Sequence, residues 1–111
     1  MDIRSNKEAN AVFINVGGRM DAVTTPEFEK ACDEWIQKGD KKLVINLERL
    51  DYISSAGLRG ILSVGKKVKG DGGALVLCSL AGVVKQVFEV SGFSSIFPIC
   101  DTPASALKKI Q

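Results

Sequence analysis

The chain has 111 residues, 45% of them apolar and 25% charged, with a net charge of +2. That length suits one domain, 1–111, with a real core, and so small a charge gives no argument for nucleic acid. There is no histidine and the three cysteines form no CxxC, so a zinc site and a histidine-activated nucleophile both lack their residues.

The opening Met1-Asp2-Ile3-Arg4 lacks the apolar core of a signal peptide. The longest near-apolar run, Ala74 to Val84, is too short to span a bilayer. The expectation is a cytoplasmic protein without membrane association. Cys32, Cys78 and Cys100 lie far apart in apolar surroundings and read as buried, reduced thiols.

Residues 2–8 (DIRSNKE) read as a polar, edge-like strand, and Ala11 to Val16 as an apolar, β-branched one. With Glu8-Ala9-Asn10 as the turn, they predict an N-terminal hairpin. Gly17 to Asp21 should break the second strand. Thr25 as N-cap, Pro26 at the first helical position and Glu27 in the first turn predict a helix start. Phe28, Ala31, Cys32, Trp35 and Ile36 then recur at helical spacing and form one buried stripe, ending at Gly39-Asp40.

Lys42 to Leu47 (KLVINL) is nearly continuous in apolar residues, as in a central strand covered on both faces. Asn46 is the exception, and periodicity offers no account of it. After Glu48 to Ile53 comes a helix opened by Ser54-Ser55-Ala56-Gly57, with Leu58, Ile61, Leu62 and Val68 on one side. Gly57, Gly60 and Gly65 each cost about 1 kcal/mol in a helix relative to Ala. Three of them imply close approach by something, either a neighbouring strand or a docking partner.

Gly70 to Gly73 is a turn and Ala74 to Cys78 a buried strand. Ser79 is expected to cap a helix with Val83, Val84, Val87 and Phe88 inward, closed by Gly92 in a left-handed conformation. Ile96 to Cys100 reads as a short last strand, placed at the sheet edge by Pro98. Thr102-Pro103 opens a final helix carrying Leu107 and Ile110. The order ββαβαβαβα predicts an α/β fold with a mostly parallel, four- to five-stranded sheet.

Function in such sheets lies at the carboxyl ends of the strands. Two loops occupy that end, Gly17–Thr25 and Asp51–Gly57, and neighbouring strands would bring Asp21 close to Ser55. A hydroxyl at a strand-to-helix turn can cap the helix, or it can be a phosphorylation site, because the helix N-terminus favours negative charge. Enzymatic readings lack support. SSAG is not the G-x-S-x-G elbow, the glycines match neither Walker-A nor GxGxxG spacing, and Asp21 with Asp51 reads as turn caps.

The stretch Leu50–Leu62 (LDYISSAGLRGIL) resembles the phosphorylation-site segment of bacterial anti-sigma-factor antagonists, the single-domain STAS proteins. Gly18-Arg19-Met20-Asp21 is similar to that family's G-x-[apolar]-D before the first helix. Val84–Phe93 is similar to its third-helix pattern ending in S/T-G-[apolar]. The resemblance implies a single STAS-like domain that is not an enzyme and carries no cofactor.

It also implies a phosphoacceptor at Ser55. Ser54, which stands where many members have Asp, is the alternative acceptor. The implied partner surface is Asp21, Ser54, Ser55, Ala56, Gly57, Leu58 and Arg59. In the implied cycle the unphosphorylated protein, a monomer when free, binds an anti-sigma factor serine kinase and so frees a sigma factor. Phosphorylation of Ser55 ends that binding, and a PP2C-type phosphatase restores it. A STAS scaffold or accessory subunit of a stress-signalling or transport complex, without a phosphorylation cycle, is the other reading.

Overall fold

The computed structural model describes all of residues 1–111. Strand β1 (Asp2–Glu8) pairs antiparallel with β2 (Ala11–Met20) through a two-residue turn. Ala9 and Asn10 both have positive φ (49° and 71°), as a tight hairpin between right-twisted strands requires. Helix α1 (Thr25–Gln37), β3 (Lys42–Ile53), α2 (Ser55–Gly70), β4 (Ala74–Cys78), α3 (Gly82–Ser91), β5 (Ile99–Cys100) and α4 (Pro103–Ile110) follow. The predicted element order and the mostly parallel sheet are both present, with five strands in the order β1-β2-β3-β4-β5.

That order explains the layering. From β2 to β5 the chain steps across the sheet in one direction, and right-handed crossovers then place α1, α2 and α3 on the same face. Phe28 and Cys32 of α1, Ile61, Val64 and Val68 of α2, and Val84 and Phe88 of α3 pack there on Ile14, Leu43, Ile45 and Leu77. The other face is covered by α4 alone, through Ala106 and Ile110 on Phe13, Val44 and Val76.

Several expectations need correction. Gly17 and Gly18 do not end β2. Gly17 pairs with Arg49 and Gly18 with Leu50, with register shifts on either side. Gly18 has φ +85°, so the glycines form an irregularity within a longer strand. β3 likewise runs on to Ile53 instead of stopping at Leu47. Helix α1 is preceded by Thr24, with Thr25 already helical and buried.

Ser79 is not the cap of α3. That position is Ala81, while Ser79 has φ +66° and a buried hydroxyl without a partner. Val83 is 71% exposed instead of inward. The last strand is only Ile99–Cys100, because Phe93–Ser95 forms a 3-10 turn first. Gly92 does adopt the left-handed cap, at φ +79°.

Asn46 finds its explanation on the α4 face. It is in register with Asn15 and donates from its side-chain amide to Asn15 Oδ1 at 2.8 Å. Asn15 in turn donates to the Arg4 carbonyl at 3.3 Å, and Asn46 Oδ1 accepts from the Glu48 N–H at 3.2 Å. The two asparagines line a surface depression beside the first turns of α4, with Pro103, Ala104 and Leu107, and there the neighbouring strands carry polar side chains that satisfy one another.

Candidate functional site

The long β2–β3 ladder builds the site. Arg19 pairs with Tyr52 and Met20 with Ile53, so both strands end side by side. The Met20 carbonyl then accepts from the Ser54 N–H at 2.9 Å. This bond holds Ser54 extended (φ −95°, ψ 175°), the conformation an N-cap needs. Ser54 Oγ accepts from the Gly57 N–H at 3.3 Å, and its carbonyl accepts from Leu58 N–H at 3.0 Å.

Capping therefore falls to Ser54. Ser55 is the first helical residue, is exposed, and takes no part in the cap. Its hydroxyl stands at the end of α2 where the first backbone N–H groups have no carbonyl to bond within the helix.

Asp21 follows Met20 and so flanks the same junction. Its Oδ1 accepts from the N–H groups of Val23 and Thr24, each at 3.0 Å. Its own N–H donates to Thr24 Oγ1 at 3.0 Å, and that hydroxyl donates to the Arg19 carbonyl at 2.8 Å. The Thr24 backbone bond above all holds the Asp21 carboxyl below its usual pKa of 3.8, with partial desolvation opposing and Thr24 Oγ1, Val23 and Arg19 assisting. Asp21 is thus the tie that shapes the β2–α1 loop beside Ser54.

The α2 residues named from the sequence divide by orientation. Ser55 and Arg59 are exposed, one turn apart, while Ala56 and Leu58 are half-buried. Gly57 is buried. A Cβ there would lie 2.7 Å from Ile53 Cγ1 and 2.8 Å from the Met20 carbonyl oxygen. A Cβ at Gly60 would strike Thr25, and one at Gly65 would strike the Phe97 ring. Gly57, Gly60 and Gly65 thus admit the strand ends at Met20 and Ile53, Thr25 of α1 and the Phe97 ring.

Other exposed residues near the junction were not expected. Val23 is 87% exposed in the Asp21–Thr24 loop, and Tyr52 lies under the Arg19 guanidinium, 4.1 Å from ring centroid to Cζ. Leu58 forms one wall of a shallow apolar groove of about 380 Å³ with Val83, Val87 and Val90 of α3. Helical spacing had put Val83 inside; reading which of two adjacent valines faces the core needs the true start of α3, which the sequence left open.

Two of the lysines of α2 have structural work. Lys67 Nζ donates to Asp33 on α1 at 2.7 Å, which raises its pKa, and Lys69 donates to the Ile96 carbonyl at 2.9 Å. No group of three or more metal-ligating side chains is present, and no helix is long and apolar enough to cross a membrane. Burial pushes the Cys32 thiol up to about 12, which leaves it unreactive at neutral pH.

Comparison with known proteins agrees with this architecture. The model of the STAS domain family matches residues 2–106. A protein of Bordetella bronchiseptica, BtrV, described as a candidate anti-sigma factor antagonist, is 43% identical over 106 residues, which are 96% of this chain and 91% of that one. A crystal structure from Thermotoga maritima, likewise described as a candidate anti-sigma factor antagonist, superposes with TM-score 0.91 at 23% identity, covering 97% of this chain and 93% of its own. The Bacillus cell fate determinant SpoIIAA in its phosphorylated form superposes with TM-score 0.77 at 19% identity, covering 99% and 100%. With its fold and nearly its whole length matched, the chain belongs to the STAS domain family.

Proposed function

We propose that this protein is an anti-sigma-factor antagonist working as a phosphorylation-controlled binding switch in the cytoplasm. Unphosphorylated, it docks on an anti-sigma factor serine kinase and so frees a sigma factor. The observation that carries the reading is the division of labour at the start of α2. Ser54 holds the cap, and Ser55 is left exposed beside free N–H groups.

The chain itself catalyses nothing in this scheme. The Ser55 oxygen attacks the γ-phosphorus of an ATP bound to the partner, ADP leaves, and the serine proton passes to a base or solvent on the partner. The product carries about −1.5 to −2 charge. At a helix N-terminus that charge meets unpaired N–H groups and the positive end of the dipole, so the domain stays folded.

The partner feels the change instead. A partner carboxylate about 4 Å away is repelled by about 4 kcal/mol per unit charge at an effective dielectric near 20. A hundredfold loss of affinity needs only about 2.7 kcal/mol. A PP2C-type phosphatase would return the protein to its binding form. The docking face we assign comprises Ser55 and Arg59, with Ala56 and Leu58 at its base and Asp21 and Ser54 shaping it from below.

The test combines modification and binding. Incubation with the partner kinase and Mg-ATP should add one phosphate, located on Ser55 by peptide mass spectrometry. Ser55→Ala should bind the kinase and accept no phosphate, and Ser55→Asp should fail to bind. A phosphate on Ser54 would move the acceptor by one residue. Equal binding by both Ser55 variants would favour a scaffold or accessory subunit with no cycle and sink the switch.

A further inference from the structure

The three cysteines are widely separated in sequence, but folding brings two of them together. Cys78 ends β4 and Cys100 ends β5, and they are register partners across that parallel ladder. Both face α4: Cys78 belongs to the smaller core cluster with Ala106 and Ile110, and Cys100 packs against it. Register neighbours on adjacent strands have α-carbons about 4.8 Å apart. A disulfide spans about 4.4–6.8 Å between α-carbons and about 3.5–4.5 Å between β-carbons, so closing one here draws the end of the short β5 slightly toward β4. Cys32 is on α1, across the sheet from this pair.

We propose that Cys78 and Cys100 form a reversible dithiol–disulfide couple that locks the β5 edge when the protein meets a hydroperoxide. Access divides the roles. Cys78 is fully buried and Cys100 is partly exposed at the edge of the sheet. Burial also disfavours the Cys78 thiolate, so the first step belongs to Cys100.

The Cys100 thiolate attacks the terminal peroxide oxygen, the O–O bond breaks, and the alcohol (water, for hydrogen peroxide) leaves. Cys100 is then a sulfenic acid. The Cys78 sulfur attacks the Cys100 sulfur, the S–O bond breaks, and water departs with the Cys78 proton. Two thiols have lost two electrons in all, and the hydroperoxide has gained them. A small dithiol reverses the process by exchange.

What the bond would hold is otherwise weakly held. β5 has two residues, joined to β4 through Leu77 N–H to the Pro98 carbonyl (3.0 Å) and Ser79 N–H to the Cys100 carbonyl (3.2 Å). The cross-link would close residues 79–99, including all of α3, into a loop, and such closure stabilises by restricting the unfolded chain. None of this depends on the Ser55 reading.

The experiment uses the whole protein. Reduced protein is treated with a few equivalents of hydrogen peroxide, alkylated, digested and mapped by mass spectrometry. The expected product is a monomer lighter by two hydrogens, with a Cys78–Cys100 linked peptide, an alkylated Cys32 and a Tm raised by several degrees. Dithiothreitol should reverse both the mass and the Tm. Cys100→Ser, at the sheet edge where folding is least at risk, should abolish the mass loss, and Cys32→Ala should retain it. A sulfinic acid on Cys100 beside a free Cys78, dimers linked through Cys100, a bond to Cys32, or no oxidation would each overturn the proposal.

Discussion

Twice this chain leaves a parallel strand for a helix through a serine, and the two junctions are built differently. After β3, Ser54 is extended and caps α2, which leaves Ser55 in solvent. After β4, Ser79 takes a left-handed conformation, its hydroxyl is buried without a partner, and α3 begins only at Gly82. Strand length accounts for the contrast. β3 continues past its last pairing with β4, Asn46↔Cys78, and stays paired with β2 as far as Ile53. Its serine is thereby carried clear of the core and held by the Met20 carbonyl. β4 stops at Cys78, level with Asn46 of β3 and Cys100 of β5, so the hydroxyl of its serine is still buried. A hydroxyl becomes a usable surface group only where the ladder extends far enough to deliver it.

The sharpest way to test that contrast is to place the same charge at both junctions. Ser55→Asp should leave urea unfolding almost unchanged while lowering affinity for the proposed kinase partner at least a hundredfold, about 2.7 kcal/mol. Ser79→Asp should instead lower stability by about 2–3 kcal/mol, because the carboxylate replaces a buried hydroxyl that already lacks a partner. Gly57→Ala attacks the first junction from within. Its new methyl would meet the Met20 carbonyl that positions Ser54, and a loss of about 1–3 kcal/mol should appear in the urea midpoint.

Smaller changes separate the two serines further. Ser54→Ala should cost about 1 kcal/mol through the lost cap. Ser79→Gly should leave stability unchanged or raise it by up to about 1 kcal/mol, since glycine relieves the positive φ and removes the orphaned hydroxyl. The mildest test is acid. The Asp21 carboxyl is held below its usual 3.8, so it stabilises the fold above that pH, and the contribution disappears as pH falls through the lower folded value. The gap in urea midpoint between the wild-type protein and Asp21→Asn should therefore narrow from pH 6 to pH 3.

Much of this architecture was legible in the residues. A polar stretch, a turn and a β-branched apolar run announced the hairpin, and helical spacing announced α1 and α2. The continuous apolar runs at Leu43–Ile45 and Leu75–Leu77 matched strands buried on both faces. Other features were hidden for identifiable reasons. Gly17-Gly18 resembles a terminator, and only pairing with Arg49 and Leu50 reveals a strand running through it. Asn46 looked anomalous until Asn15, on the neighbouring strand, supplied its partner. The glycines of α2 signalled close approach, but whether of a partner or of Met20, Thr25 and Phe97 depended on atoms far away in sequence.

The order of the elements, their buried stripes and the paired serines at the start of α2 follow from the chain alone. Such features arise from interactions within a turn or two, where propensity and periodicity act. Three others needed the folded molecule: which serine is consumed by the cap, how far β3 carries it, and that Cys78 lies beside Cys100. Those depend on strand register between segments some twenty to thirty residues apart, and register is set by hydrogen-bond ladders and packing across the whole sheet.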